Sequence, residues 1–401
     1  MYGRLAAMVA CAVSLFLVLT LCGSDESSAE SSGQCGEDVT WTLDGGNLTI
    51  SGNGPMYDYY PGYSHYGSAT RVIIEDGVTT IAESAFEYCD HLSYVTLPDS
   101  LRSIGDHAFR DCPLFDIDFG KGVETIGTGA FAACNYLGIL NLPDSLRSIG
   151  NEAFRGCSMV SELYLGNSLE SIGEIAFADD TNLETLIIPD SVTYIGEAAF
   201  THVPNLKILR IGNGVTNLYF FEPGDLGRLE ELSIGDGITS LFEGYFSGMT
   251  RLKTVSLGSG ITEIPNKAFS GCTGLKSVTI SDKVVAIGDE AFLNCSINTI
   301  NLGSSLVTIG NSAFYKCNDL ESVVLPSTIR TIGDQAFYNT DIVFVMIPEG
   351  CESYLGAFES NVTVITVREP LDNNLAQQIA IAVIALGTLL GICNLLIGRR
   401  R

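Results

Sequence analysis

Phenylalanine recurs along this chain with a fixed rhythm, at Phe86, Phe109, Phe131, Phe154, Phe177 and Phe200, then at Phe246, Phe269, Phe292, Phe314, Phe337 and Phe358. The interval is 21 to 23 residues, apart from one double step of 46 where a unit around Leu218–Arg228 has degenerated. An ordinary chain of 401 residues would divide into two or three globular domains. A short repeat removes that expectation, because an array grows lengthwise without enlarging its core.

Each unit reads like Leu92-x-x-Val95-x-Leu97-Pro98-x-Ser100-Leu101-x-x-Ile104-Gly105-x-x-Ala108-Phe109-x-x-Cys112, and Leu183–Phe200 and Leu320–Phe337 repeat it nearly letter for letter. Tyr94–Leu97 alternates polar and apolar faces and is expected to be a short strand. Pro98, or the equivalent Gly166, Gly212 or Gly258, ends the strand and turns the chain. Gly105 is expected to allow a tight bend, and Ala108-Phe109 to form one inward-facing helical turn. A single unit cannot bury these side chains, whereas stacked units bury Leu, Ile and Phe in continuous ladders. The pattern therefore predicts an α/β repeat solenoid with parallel strands along one side.

The motif Ile-Gly-x-x-Ala-Phe-x-x-Cys, with Leu-Pro-x-Ser-Leu before it, resembles the Treponema pallidum-type, or BspA-like, leucine-rich repeat across roughly Val72–Phe358. The stretch Cys35–Ile50, which holds Trp41, and the segment Met56–Tyr59 are similar to the N-terminal cap of that family. The resemblance implies a right-handed leucine-rich-repeat superhelix with its parallel β-sheet on the concave face. It also implies a cell-surface protein that adheres to host matrix proteins or to other cells. Its ligands differ between members, so the class of function follows and the partner does not.

The domain reading follows from these segments. Residues 1–29 form a signal peptide and the start of a polar spacer, with Arg4 before the apolar run Leu5–Leu21. Cleavage fits after Ser27-Ser28-Ala29, and Cys22 offers lipid attachment as an alternative. Residues 30–70 form an N-terminal β cap in which Val39–Leu43 and Leu48–Ile50 make a hairpin around Asp44-Gly45-Gly46-Asn47, followed by the tyrosine-rich loop Tyr57–Tyr66. Residues 71–360 hold about 13 repeats, and 361–374 a closing strand, Val362–Val367, with a linker. Residues 375–398 read as a transmembrane helix, because Ile379–Ile397 is 19 residues without a charge, and Arg399–Arg401 as a cytoplasmic tail. The expected location is the cell membrane, single-pass, with the N-terminal ectodomain outside.

Asp and Glu outnumber Lys and Arg by 47 to 21, a net charge of −26, which excludes nucleic acid as a partner. An acidic ectodomain favours basic partners, or simply stays soluble. His65, His91, His107 and His202 form no metal-spaced pair, and neither a Gly-x-Ser-x-Gly elbow nor a phosphate loop occurs. No enzyme activity, cofactor or metal is expected. Asp116 and Asp118 point outward from one strand, either as a weak Ca²⁺ pair or as plain exposed acids.

Cys89, Cys112, Cys134, Cys157, Cys272, Cys295 and Cys317 each follow a repeat Phe by three residues, a slot that holds Val203 and Met249 in other units. This spacing predicts a buried thiol ladder rather than disulfides. Cys35 and Cys351 remain as candidates for a bridge or a reactive thiol.

Outward strand positions define the expected binding surface. Ile139, Tyr164, Ile187, Ile208 and Arg210 cluster on consecutive strands, and apolar side chains with Tyr and Arg have the composition of an interface centre. The second half of the array carries Ser and Thr at these positions. Asn47, Asn294 and Asn361 lie in glycosylation sequons. The expected partner is an extracellular protein, of the host matrix or of another cell surface. The alternative is a self-associating structural component of the cell envelope.

Overall fold

A computed structural model describes residues 31–57, 66–351, 354 and 356–367. The signal peptide, most of the tyrosine-rich loop, the transmembrane helix and the Arg tail expected from the sequence lie outside the described residues. Among the described residues, no helix is long and apolar enough to cross a membrane.

The repeats form a parallel β-solenoid of stacked coils. Most coils begin with a front strand whose middle residue is buried between two more exposed neighbours, as in Asp116–Asp118 and Glu162–Tyr164. Eight front strands from Ile139–Asn141 to Thr299–Asn301 pair in parallel, one coil to the next. An earlier run joins Asn47–Met56, Arg71–Ile74, Tyr94–Thr96 and Asp116–Asp118. These two runs share no strand pairing where Asp116–Asp118 meets Ile139–Asn141. A second ladder of mostly two-residue strands, such as Ser103–Ile104 and Ser148–Ile149, runs along another side of the coils.

The array starts on one long strand, Asn47–Met56. Its first half pairs with Arg71–Ile74 in the front ladder, and its far end pairs with Val78–Ile81 in the second ladder. Gly36–Asp44 folds back on it antiparallel through Gly45 and Gly46, whose φ values of 52° and 82° suit the tight two-residue turn that only glycine adopts readily. Tyr66 fills the space between Trp41, 5.3 Å away, and Phe86, 5.6 Å away. At the other end Thr363–Val367 pairs in parallel with Phe344–Pro348.

The expected α/β class needs correction, because the coils between residues 71 and 351 contain no α-helix. One 3₁₀ turn, Pro223–Leu226, is the helical element present there. The physical reason lies on both sides of each Phe. Ser84, His107, Glu152 and Ile175, two residues before it, and Tyr88, Asp111 and Asp179, two after it, have φ between 54° and 67°. Left-handed residues at both positions stop a right-handed helix before it completes a turn. The geometry aims alternate amides at the next coil: Phe86 N donates to Ala108 O at 2.8 Å, Phe109 N to Ala130 O at 2.7 Å and Phe131 N to Ala153 O at 2.7 Å. A β-branched residue such as Ile175 tolerates this conformation only because bonds on both sides hold the arch.

Gly105 is required for a different reason than bending. A Cβ on it would stand 2.6 Å from the amide of Glu83 in the preceding coil, and one on Gly150 would stand 2.6 Å from the Gly127 carbonyl carbon. Backbones approach here as closely as they can.

Inside, the Phe rings form two stacks. Successive rings from Phe86 to Phe200 lie 5.0 to 5.2 Å apart with interplanar angles of 4° to 17°. From Phe246 to Phe358 they lie 5.1 to 5.5 Å apart. Parallel rings at this centroid distance lie in the favourable range for stacked aromatics, and the repeat between coils, close to the spacing of neighbouring strands, brings them to it. The stacks are interrupted at the degenerate unit. There Phe220 and Phe221 replace the single ring, and the Tyr245 hydroxyl lies 2.9 Å from both the Leu218 and the Phe221 carbonyl, with its one proton shared between them. The front sheet passes this point intact, since Ile208–Ile211 pairs with Glu231–Ser233. Residues 321–326, where the unit beginning at Leu320 would place its front strand, form none.

Phe154 is fully buried between two parallel rings. Phe154→Ala should therefore cost about 3–5 kcal/mol in a denaturant titration, the range for removing a large ring from a core that cannot collapse.

Candidate functional site

The front face places all five expected residues on four neighbouring strands. Register sets Ile139 beside Glu162, Asn141 beside Tyr164, Thr185 beside Ile208 and Ile187 beside Arg210. Ile139, Tyr164 and Ile187 are 48 to 55% exposed, unusually open for such large side chains. Ile208 is only half-buried and Arg210 is exposed. Neither polar member is bare. The Tyr164 hydroxyl donates to the Glu162 carboxylate at 2.9 Å, a bond that holds its phenol above the ordinary value. Arg210 meets the Glu231 carboxylate with Nε at 2.9 Å and Nη2 at 2.8 Å. Glu162 and Glu231 therefore belong to the patch, although composition alone did not single them out. The arrangement suits protein contact, with apolar side chains at the centre and fixed polar groups beside them.

The three sequon asparagines, Asn47, Asn294 and Asn361, are all exposed. Among the described residues, no group of three or more His, Cys, Asp or Glu is placed to hold a metal ion.

Seven of the slots three residues after a repeat Phe hold buried, free thiols, in two runs from Cys89 to Cys157 and from Cys272 to Cys317. Cys112 Sγ donates to the Phe86 carbonyl at 3.0 Å, Cys134 Sγ to Phe109 at 3.2 Å, Cys157 Sγ to Phe131 at 3.3 Å and Cys317 Sγ to Phe292 at 3.2 Å. Burial pushes the thiols of Cys89, Cys134, Cys272 and Cys317 up to about 12. Cys35 is buried as well, and Cys351 is half-buried.

This column contains a residue that the sequence reading overlooked. Asp180 stands three residues after Phe177, is fully buried, and has no hydrogen bond to either carboxyl oxygen. Desolvation pushes its carboxyl well above the usual range; the Cys157 backbone partly offsets this, and Asp179 adds to it. The Cys157 amide already donates to the Phe154 carbonyl at 3.1 Å. Aligning the units on Phe shows Asp180 in the thiol slot, and that alignment was the available signal. Also unassigned from sequence was a file of exposed rings, Tyr94, Phe115 and Tyr136, crossing the earliest coils.

Two outcomes follow. A carboxyl held above its unfolded value stabilises the fold while protonated, fully so below about pH 4, and this is lost as pH rises through the folded value. Asp180→Cys should restore the thiol column and raise stability at pH 8 by about 1–3 kcal/mol, with a smaller gain at pH 5; equal stabilities in urea at both pH values would contradict this. The eight buried cysteines should also resist alkylation at about pH 8 until the chain is unfolded, as read by peptide mapping.

Comparison with known proteins returns one family model, the BspA type leucine rich repeat region (6 copies), which matches residues 62–184, 137–253 and 239–364. No curated protein matches the chain. Among solved structures, a leucine-rich repeat protein from Bacteroides ovatus is 24% identical, with 83% of this chain and 99% of that one covered and a TM-score of 0.42. One from Eubacterium ventriosum is 24% identical over 79% of this chain and 96% of that one, with a TM-score of 0.37. A leucine rich cell surface protein from Faecalibacterium prausnitzii is 23% identical over 86% and 97%, with a TM-score of 0.38.

Proposed function

The chain belongs to the BspA-type leucine-rich repeat family, and from that premise we propose that it is a cell-surface protein that binds another extracellular protein through its front strands, without catalysis. The observation that carries this reading is the patch of Ile139, Tyr164 and Ile187 on adjoining strands, bordered by the Arg210–Glu231 pair. Exposed apolar area in one place costs solubility unless a partner covers it. The description of the Faecalibacterium prausnitzii protein as a cell surface protein supports the location. In this reading residues 1–29 direct secretion, 375–398 anchor the chain in the membrane, and the ectodomain faces outward. The hairpin of Gly36–Asp44 and Asn47–Met56 closes the first end of the array. Asn47, Asn294 and Asn361 are its sites for surface glycans.

The test uses the full chain and its Tyr164→Ala/Arg210→Ala form against immobilised matrix and cell-surface proteins. Both side chains are exposed, and exposed ion pairs such as Arg210–Glu231 contribute only about 0–1 kcal/mol. Binding should weaken by about tenfold or more while Tm stays within a degree or two, the expectation for hot-spot residues outside the core. A fall in Tm with binding intact in the folded fraction makes the patch structural. Concentration-dependent assembly of the chain alone assigns it instead to the cell envelope.

A further inference from the structure

The front face carries a second surface with its own chemistry. Tyr94, Phe115 and Tyr136 are 44 to 49% exposed, and their rings follow one another across three coils at 6.4 and 5.2 Å. Register places Arg71 beside Tyr94 and Tyr94 beside Asp116. The Arg71 guanidinium lies 5.0 Å over the Tyr94 ring, so the first ring already holds a planar cation.

Beside these rings, Asp116–Asp118 and Ile139–Asn141 share no strand pairing, and a cleft of about 890 Å³ runs over the strand ends and turns of the neighbouring coils. Asp76, Asp99, Asp116, Asp118 and Asp144 line it with a single cation, Lys121. Asp99, Asp118 and Asp144 each accept a backbone amide, from Lys121, Gly120 and Asn167. Among the described residues none of the five acids forms a salt bridge, whereas elsewhere the few bases pair across coils, as in Arg147–Glu170 and Lys207–Glu184.

Resting on the reading that the front face binds protein, we propose that this surface docks an extended arginine-rich segment of the partner. Guanidinium groups stack on aromatic faces and pair with carboxylates, and both features lie side by side here. Charge complementarity selects this occupant: the surface is acidic, and the chain as a whole carries −26.

A fluorescein-labelled nona-arginine peptide is titrated with the full chain at about 150 mM salt and followed by anisotropy. Phe115→Ala and Asp116→Asn should each weaken binding by about fivefold or more, with Tm unchanged, because both side chains are exposed. Glu263→Gln, which removes one exposed charge on a distant coil, should leave affinity unaltered. Equal losses for Asp116→Asn and Glu263→Gln would reduce the attraction to diffuse charge and overturn the proposal. Undiminished binding by Phe115→Ala, or equally tight binding of a nona-glutamine peptide, would overturn it too. So would a dimer of the chain that Phe115→Ala dissolves, since that gives the surface to a second copy. If nona-arginine fails while the protein-binding assay succeeds, this inference fails alone. If the peptide binds but no protein is captured, the broader functional reading fails.

Discussion

Every regular coil leaves alternate backbone amides beside its Phe without a partner of its own, and the next coil answers them. The Phe154 amide reaches the Ala176 carbonyl at 2.8 Å, and the Phe177 amide reaches Ala199 at 2.8 Å. This bond sets the distance between coils, and the rest of the interior obeys that distance. It puts the Phe rings about 5 Å apart in parallel stacks, within the range that aromatic pairs favour, and forces glycine wherever one backbone presses on another. It also holds left-handed residues such as Ile175 in place. A coil without a neighbour would lose all of these at once, which is why such arrays gain stability by extension.

Stacking identical coils turns each sequence position into a column with one environment. The thiol column is apolar and closed, so a cysteine there donates weakly to a Phe carbonyl and stays inert. The same column makes Asp180 costly, because desolvation there outweighs what the Cys157 backbone returns and holds the carboxyl neutral. Columns at the turns do different work. Asp106 accepts the Thr128 amide at 2.6 Å, and Asp190 accepts the Asn213 amide at 2.8 Å, so acidic side chains fasten coil to coil. Much of the acidity of the chain is therefore structural. The acids around the cleft stand out because five of them line one place with Lys121 as the single base among them.

The front strands divide these tasks between their two faces. Inward residues such as Leu163 and Leu186 are committed to the core, while outward residues such as Tyr164 and Ile187 touch no column and are free to differ from coil to coil. A surface of this kind changes its partner without changing its fold. The two runs of front strands share no pairing between Asp116–Asp118 and Ile139–Asn141, and residues of both strands line the cleft beside the ring file.

The period of Phe, the unit motif and the alternation in Tyr94–Leu97 were enough to establish a stacked solenoid, its inward residues and its thiol ladder. All of these depend on spacing along one chain, which a sequence displays directly. The same spacing placed Ile139, Tyr164 and Ile187 on one outward face. Spacing did not distinguish a helical turn from the left-handed arch at Ala108-Phe109, because the arch is held by bonds to another coil. Nor did it show that Gly105 yields to a neighbouring backbone, that Asp180 lacks a partner, or that Arg71 lies over Tyr94 beside an acidic cleft. Those depend on contacts between residues more than 20 positions apart, and folding had to bring them together first.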